Sequence, residues 1–228
     1  MKKCYFLMMA LFVLVVLGCS KKQVDRVEDA GFSDLTKYYI AGEIQNGDHI
    51  AVPFFLYPEN SSEMTILAYG MHFKVPYTIK KGVFHTESMV PTLGTVQMDA
   101  LITNNSIKNA TFSASSVAEP YKILDATILE KSTNMNLLAG RTFVGTGLPG
   151  AGGVTIVFEK TSAGMVYKTK TAKQENFTSA TSCRLHGNAG VSANSGLLTY
   201  GVVLDDSFLA YVNYGGKAYT LTMKEVKK

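Results

Sequence analysis

From residue 35 to the C-terminus, apolar and polar residues alternate in short runs, and no long 3.6-residue period develops. Val96, Met98, Ala100 and Ile102 fall on one side of such a run, with Gln97, Asp99 and Thr103 on the other. Tyr219, Leu221 and Met223 alternate with Thr220, Thr222 and Lys224 in the same way, and Val154, Ile156 and Phe158 form a third case. Successive side chains of a pleated strand point to opposite faces, so this pattern predicts strands with one buried face. Gly, Asn, Asp and Ser punctuate the runs where hairpin turns are needed. Phe54-Phe55-Leu56-Tyr57 breaks the alternation and predicts a strand buried on both faces, or one lining a contact surface. The fold class is all-β.

The runs also repeat. Leu35–Gly42 (LTKYYIAG) aligns with Leu138–Gly145 (LAGRTFVG), and each is followed by an apolar strand, Val52 to Leu56 or Val154 to Phe158. A polar turn and a strand opening at Met64 or Met165 come next. Further on, Ala100–Phe112 matches Val202–Tyr214, placing Asn104-Asn105 and Asp205-Asp206 at nearly the same point in two hairpins. Asn and Asp tolerate the positive φ that tight hairpins demand. Tyr121 and Tyr219 then open the two terminal strands. Two copies of about seven short strands each are expected, as tandem antiparallel β-sandwiches or small barrels. The pattern lapses near Lys131–Asn136. This puts one β domain at 35–131 and a second, its internal repeat, at 132–228.

The start of the chain is different. Lys2-Lys3 precede an unbroken apolar run from Tyr5 to Leu17. As a helix this run spans roughly 20 Å, short of the roughly 30 Å hydrocarbon core, so it reads as the apolar region of a secretory leader. It closes on Val16-Leu17-Gly18-Cys19, which resembles the lipobox of bacterial lipoproteins. The resemblance implies a signal peptide over 1–18, cleavage before Cys19, a diacylglycerol thioether on its sulfur and an acyl chain such as palmitate on its amino group. Two or more chains hold a membrane stably where one does not, at about 0.8 kcal/mol per buried CH₂. Residues 19–34 then form a polar lipidated tether, with a single helical turn through Val24 to Ala30. Ser20-Lys21-Lys22 resembles the outer-membrane sorting default. No acidic run follows the cysteine, so the periplasmic face of the outer membrane is expected rather than the cell surface.

Charge and cysteine content narrow the reading. Losing Lys2 and Lys3 with the leader leaves 20 basic against 18 acidic residues, without a basic run to track a phosphate backbone, so nucleic acid is not an expected partner. Of the three cysteines, Cys4 leaves with the leader and Cys19 is taken by lipid. Cys183 alone remains, so no intramolecular disulfide is expected in an oxidising compartment. At 46% apolar residues the chain has material for a core that stands without staples.

No catalytic set, cofactor or metal site emerges. Gly145-Thr-Gly147-Leu-Pro-Gly150 satisfies G-x-G-x-x-G, but a β-branched strand follows where a dinucleotide site needs a helix, so it reads as a hairpin loop. Cys183 and His186 are three apart in a strand and point to opposite faces, which defeats a thiol–imidazole pair. His49, His72, His85 and His186 are scattered, without the short spacings of metal ligands. Asp205-Asp206 lacks the further oxygens calcium requires, and turn chemistry accounts for it. Glu119, Asp125, Glu159 and Glu175 are dispersed, giving no carboxylate pair of the glycosidase kind. Tyr69, Tyr77 and Tyr214 could stack on sugars, but the chain has no Trp.

The strand segments Leu138–Gly145 and Gly94–Thr103 resemble those of calycin-like and lipocalin-like lipoproteins, although the Trp of the first lipocalin strand is missing. The resemblance implies an antiparallel barrel that binds an apolar molecule or a protein, without catalysis. The expected function is therefore a non-enzymatic, lipid-anchored envelope protein binding a small apolar ligand or a protein partner. An apolar-ligand binder further requires an empty barrel interior. The alternative is a fimbrial-type assembly subunit acting by β-strand addition, with Arg141 near a domain start as a point for proteolytic activation.

Overall fold

The computed structural model describes residues 34–227 apart from 104–105 and 133–135. Cys19, the helical turn expected at 24–30 and the Asn104-Asn105 turn lie outside the described residues. Those described contain strands, turns and loops, with no helix. The first nine strands are β1 (Tyr38–Asn46), β2 (Val52–Pro58), β3 (Glu63–Ala68), β4 (Met71–Pro76), β5 (Thr78–Lys80), β6 (Val83–Val90), β7 (Gly94–Thr103), β8 (Ser106–Ala114) and β9 (Tyr121–Glu130). They form one antiparallel sheet in the order β4-β3-β2-β1-β9-β8-β7-β6-β5. The next eight are β10 (Thr142–Thr146), β11 (Gly153–Thr161), β12 (Gly164–Thr171), β13 (Thr181–His186), β14 (Gly190–Ser192), β15 (Leu198–Leu204), β16 (Ser207–Tyr214) and β17 (Lys217–Glu225). These close into an eight-stranded barrel. The expected seven strands per copy are thus nine and eight.

Both sheets run up and down in chain order, and each joins its first strand to its last: β1 pairs with β9, and β10 with β17. Gly42 and Gly145, which correspond in the sequence repeat, both sit at these joins. A Cβ on Gly42 would lie 1.9 Å from the Asp125 carbonyl oxygen on β9, and one on Gly145 would lie 2.9 Å from the Met223 side chain on β17. Turn chemistry follows the sequence as well. Asp205 takes φ +51° in the β15–β16 hairpin, and the glycine-rich stretch ends β10 and supplies the Gly147–Gly152 loop that joins it to β11.

The first sheet stops short of full closure. Pro76 ends β4 without an N–H to donate. There the only bridge described is from the Thr86 hydroxyl on β6 to the Pro76 carbonyl, at 2.6 Å. Strand β5 then folds back on the first half of β6, pairing Thr78 with His85 and Lys80 with Val83. This leaves the second half of β6 facing β4 with no backbone ladder between them.

Alternation places the cores. Val96, Met98, Ala100 and Ile102 are buried inside the first sheet, while Val154, Ile156, Phe158, Leu221 and Met223 are buried inside the second. Large apolar side chains pack inside both. In the second, the rings of Phe143, Phe158 and Phe208 meet at centroid distances of 5.2 to 6.2 Å, and Tyr167 packs 6.4 Å from Phe158. In the first, Phe112 and Tyr121 meet edge-on at 5.0 Å and Tyr77 stacks on Phe84 at 5.9 Å. Aromatic rings thus occupy the middle of each interior.

A third layer of burial lies between the barrels. Register puts Ala41, Phe55, Leu67 and His72 in one row on the outer face of the first sheet. Yet Ala41, Phe55 and Leu67 are at most 1% exposed. The second barrel covers them. A Cβ on Gly190 would lie 2.9 Å from the Phe55 ring, so only the absence of a side chain there lets the two surfaces meet. Val202 and Leu209, which point out of the second barrel, are likewise buried. The Tyr39 hydroxyl donates to the Val203 carbonyl at 3.1 Å, and the Tyr69 amide donates to the Tyr200 hydroxyl at 2.9 Å. The doubly buried strand expected at Phe54–Tyr57 is β2, and the contact surface it lines is this one.

Candidate functional site

Where the two barrels diverge, the junction opens into a groove of about 460 Å³. One wall comes from the β3–β4 turn and β4, with Gly70 and His72; the other comes from β13, β14 and the loop after it, with Ser182, Arg184, Ser192 and Asn194. Residues 110 apart in sequence are thus brought together by the packing of β2 on β15 and β16. Arg184 and Ser192 are register partners across β13 and β14, which puts both on the outward face. His186, two residues on from Arg184 and on the same face, pairs with Gly190 and is 5% exposed.

The His186 and His72 rings meet across the junction with centroids 4.7 Å apart. The His186 Nε2 lies 2.7 Å from the Ser192 hydroxyl oxygen. Burial, with smaller contributions from His72 and Arg184, pushes the His186 pKa down to about 4, so its imidazole is neutral near pH 7. The four histidines are therefore not all scattered: two of them touch. Sequence spacing could not reveal this, because the contact is made between two separate sheets. Among the described residues no group of three or more His, Cys, Asp or Glu side chains could hold a metal ion.

The other residues weighed in the sequence separate. Cys183 points away from His186, and burial pushes its thiol up to about 11. The Glu159 carboxylate pairs with Lys168 at 2.9 Å, and Asp206 pairs with Lys224 at 3.6 Å. Asp125 lies opposite Glu43 in the β1–β9 ladder; burial, and then the Asp125 charge, raise the Glu43 carboxyl above its ordinary range. Tyr69 packs against Tyr121 at 5.5 Å, and the Tyr77 hydroxyl donates to the Asn60 carbonyl at 2.8 Å, so neither presents a free ring face of the kind a sugar platform needs. Tyr214 lines a pocket of about 390 Å³ at one mouth of the closed barrel, among Thr169, Thr178, Ser179, Thr181 and Asn213.

Arg141 is not an exposed cleavage point. Its Nε and Nη2 donate to the two carboxylate oxygens of Glu225 at 2.9 and 2.7 Å, and it also donates to the Leu137 and Asp205 carbonyls at 3.1 and 2.7 Å. Its guanidinium lies 4.9 Å from the Phe143 ring centroid. The residue locks the start of the second barrel to its last strand.

Comparisons with protein-family models, with curated proteins and with solved structures found no match to this chain.

Proposed function

We propose that this chain is a lipid-anchored cell-envelope protein, tethered through Cys19 at the periplasmic face of the outer membrane, that binds a protein partner at the groove between its two barrels and performs no catalysis. The observation that carries the choice of a protein over a small apolar ligand is the packing of aromatic rings and aliphatic side chains through the middle of both barrels. With rings packed through the middle of each barrel, the outer surface is the better place for recognition, and the junction groove is where the two barrels jointly build a concave polar wall.

The test has two arms. Cys19→Ser should shift the full-length chain from the membrane to the soluble envelope fraction, whereas equal retention of variant and parent would remove the anchor from the proposal. A photo-crosslinking residue at Asn194 should capture one discrete protein in membranes, while the same residue at Lys217, remote from the groove, should not. Equal capture at both positions, or none at Asn194, would remove the groove.

The seam between β4 and the second half of β6 favours a second reading, strand addition, because strand edges there lack ladder partners. That reading expects the purified chain to polymerise and amides of His72 and Lys74 to gain exchange protection on doing so. A strictly monomeric chain with unchanged exchange removes it.

A further inference from the structure

The geometry points to the junction groove as a carboxylate site, in which Arg184 takes an acidic side chain of the protein partner in a two-pronged contact, with Ser182 and Asn194 as neighbouring donors and His72 opposite. This rests on the groove being the partner-binding surface and names the chemistry it recognises.

The two arginines of the described residues, Arg141 and Arg184, are used differently. Arg141 places its donors on Glu225, Leu137 and Asp205. Arg184, an exposed residue that lines the groove, makes no hydrogen bond or ion pair among the described residues, which leaves its five N–H donors open to a ligand. No acidic residue lines that wall. An unpaired guanidinium on the wall of a groove that contains no carboxylate is complementary to an anion supplied from outside.

The type of anion follows from the charge count. Arg184 is the one lining side chain that is cationic at every physiological pH. His186, beneath it, stays neutral and holds Ser192 through the 2.7 Å contact. A single fixed positive charge balances a carboxylate, whereas a phosphate dianion would leave a charge uncompensated in a partly enclosed site. The guanidinium fork also matches the two oxygens of a carboxylate, which a lysine in the same place would not.

The experiment uses the full-length chain in detergent micelles with isotope-labelled histidine rings, titrated separately with acetate and with inorganic phosphate. Acetate should move the His72 and His186 ring resonances saturably and leave those of His49 and His85 in place. Arg184→Gln should weaken acetate binding about tenfold or more, the loss expected for a charge-assisted contact, and Arg184→Lys should fall between the two. Arg184 is exposed, so neither substitution should shift the unfolding midpoint. Equal movement of all four rings, or an Arg184→Gln affinity equal to that of the parent, overturns the site. Phosphate binding more than tenfold tighter than acetate overturns the carboxylate assignment. If Asn194 crosslinks the partner equally well in Arg184→Gln, the carboxylate inference fails while the groove stands; if acetate binds but Asn194 captures nothing, the partner reading fails and the anion site stands.

Discussion

Replacing Phe55 by Ala tests whether the two barrels share one core. Phe55 is fully buried, yet it points out of its own barrel, and its ring reaches the backbone at Gly190. Tyr39 and Tyr57 flank it at centroid distances of 5.5 and 5.6 Å. Removing the ring forfeits about 2–3 kcal/mol of transfer energy. The flanking rings and the Gly190 backbone belong to rigid strands and can collapse only in part, so a residual cavity brings the total to about 3–5 kcal/mol. Phe84→Ala, which empties an equally buried site inside the first barrel, should cost a similar amount. What separates them is where the loss is felt. The chain lacks Trp, so urea unfolding is best followed by far-UV circular dichroism together with amide exchange read by mass spectrometry. In Phe55→Ala, peptides covering β2 and β15 should lose protection together. In Phe84→Ala, the loss should centre on β6 and β7. A Phe55→Ala cost under about 1 kcal/mol, or unaltered protection across β15, would refute a continuous core joining the barrels.

Further outcomes follow from single contacts. Arg141→Ala should destabilise by about 2–3 kcal/mol in urea titrations, since it removes a two-pronged carboxylate contact and two carbonyl bonds at the closure of the second barrel. The hydrogen bond from Arg141 holds the Glu225 carboxyl below its ordinary range, so that stabilisation is complete above the unfolded carboxylate pKa of about 4 and fades as pH falls through the lower folded value. His186 titrates in the opposite chemical sense with the same direction in pH. Its pKa of about 4 when folded, below the unfolded 6.5, means the unfolded chain binds the extra proton, so stability falls as pH drops from about 6.5 to 4, by about 3 kcal/mol. His186→Gln should flatten that slope in the urea midpoint. Cys183 should resist alkylation at pH 8 in the folded chain and label readily in urea, because burial keeps its thiol protonated. Rapid labelling of the native chain would contradict its placement.

Much of this architecture is legible from strand alternation. The runs at Val96–Ile102 and Val154–Phe158 name their own buried faces, because burying one side of a pleated sheet imposes a period of two. The hairpin at Asp205 is readable because its positive φ restricts the residue type. The excess apolar character of Phe54–Tyr57 signals a surface covered on both sides, and β2 provides it. What covers it could not be read, since the partner is the spacing between Gly187 and Gly190, two small residues that look like ordinary turn material. The groove is hidden for the same reason. His72 and His186 belong to different sheets, and no periodicity along the chain encodes a meeting that depends on how two finished barrels pack. Arg141, conspicuous in the sequence as a basic residue near an expected domain start, proved to be a structural clasp because its acceptor, Glu225, stands on the last strand of the second barrel.

The joining of first strand to last in each sheet has a consequence for growth by duplication. The Lys131 amide donates to the Lys37 carbonyl at 2.7 Å, and the Val226 amide to the Thr142 carbonyl at 2.9 Å, so the polypeptide arrives at and departs from each barrel at a single spot. A module with coincident ends behaves like a bead with one threading hole. Another copy spliced in at that point would leave the ladders of its neighbours untouched, but it would have to cover the outer row of Ala41, Phe55 and Leu67 as the second barrel does now.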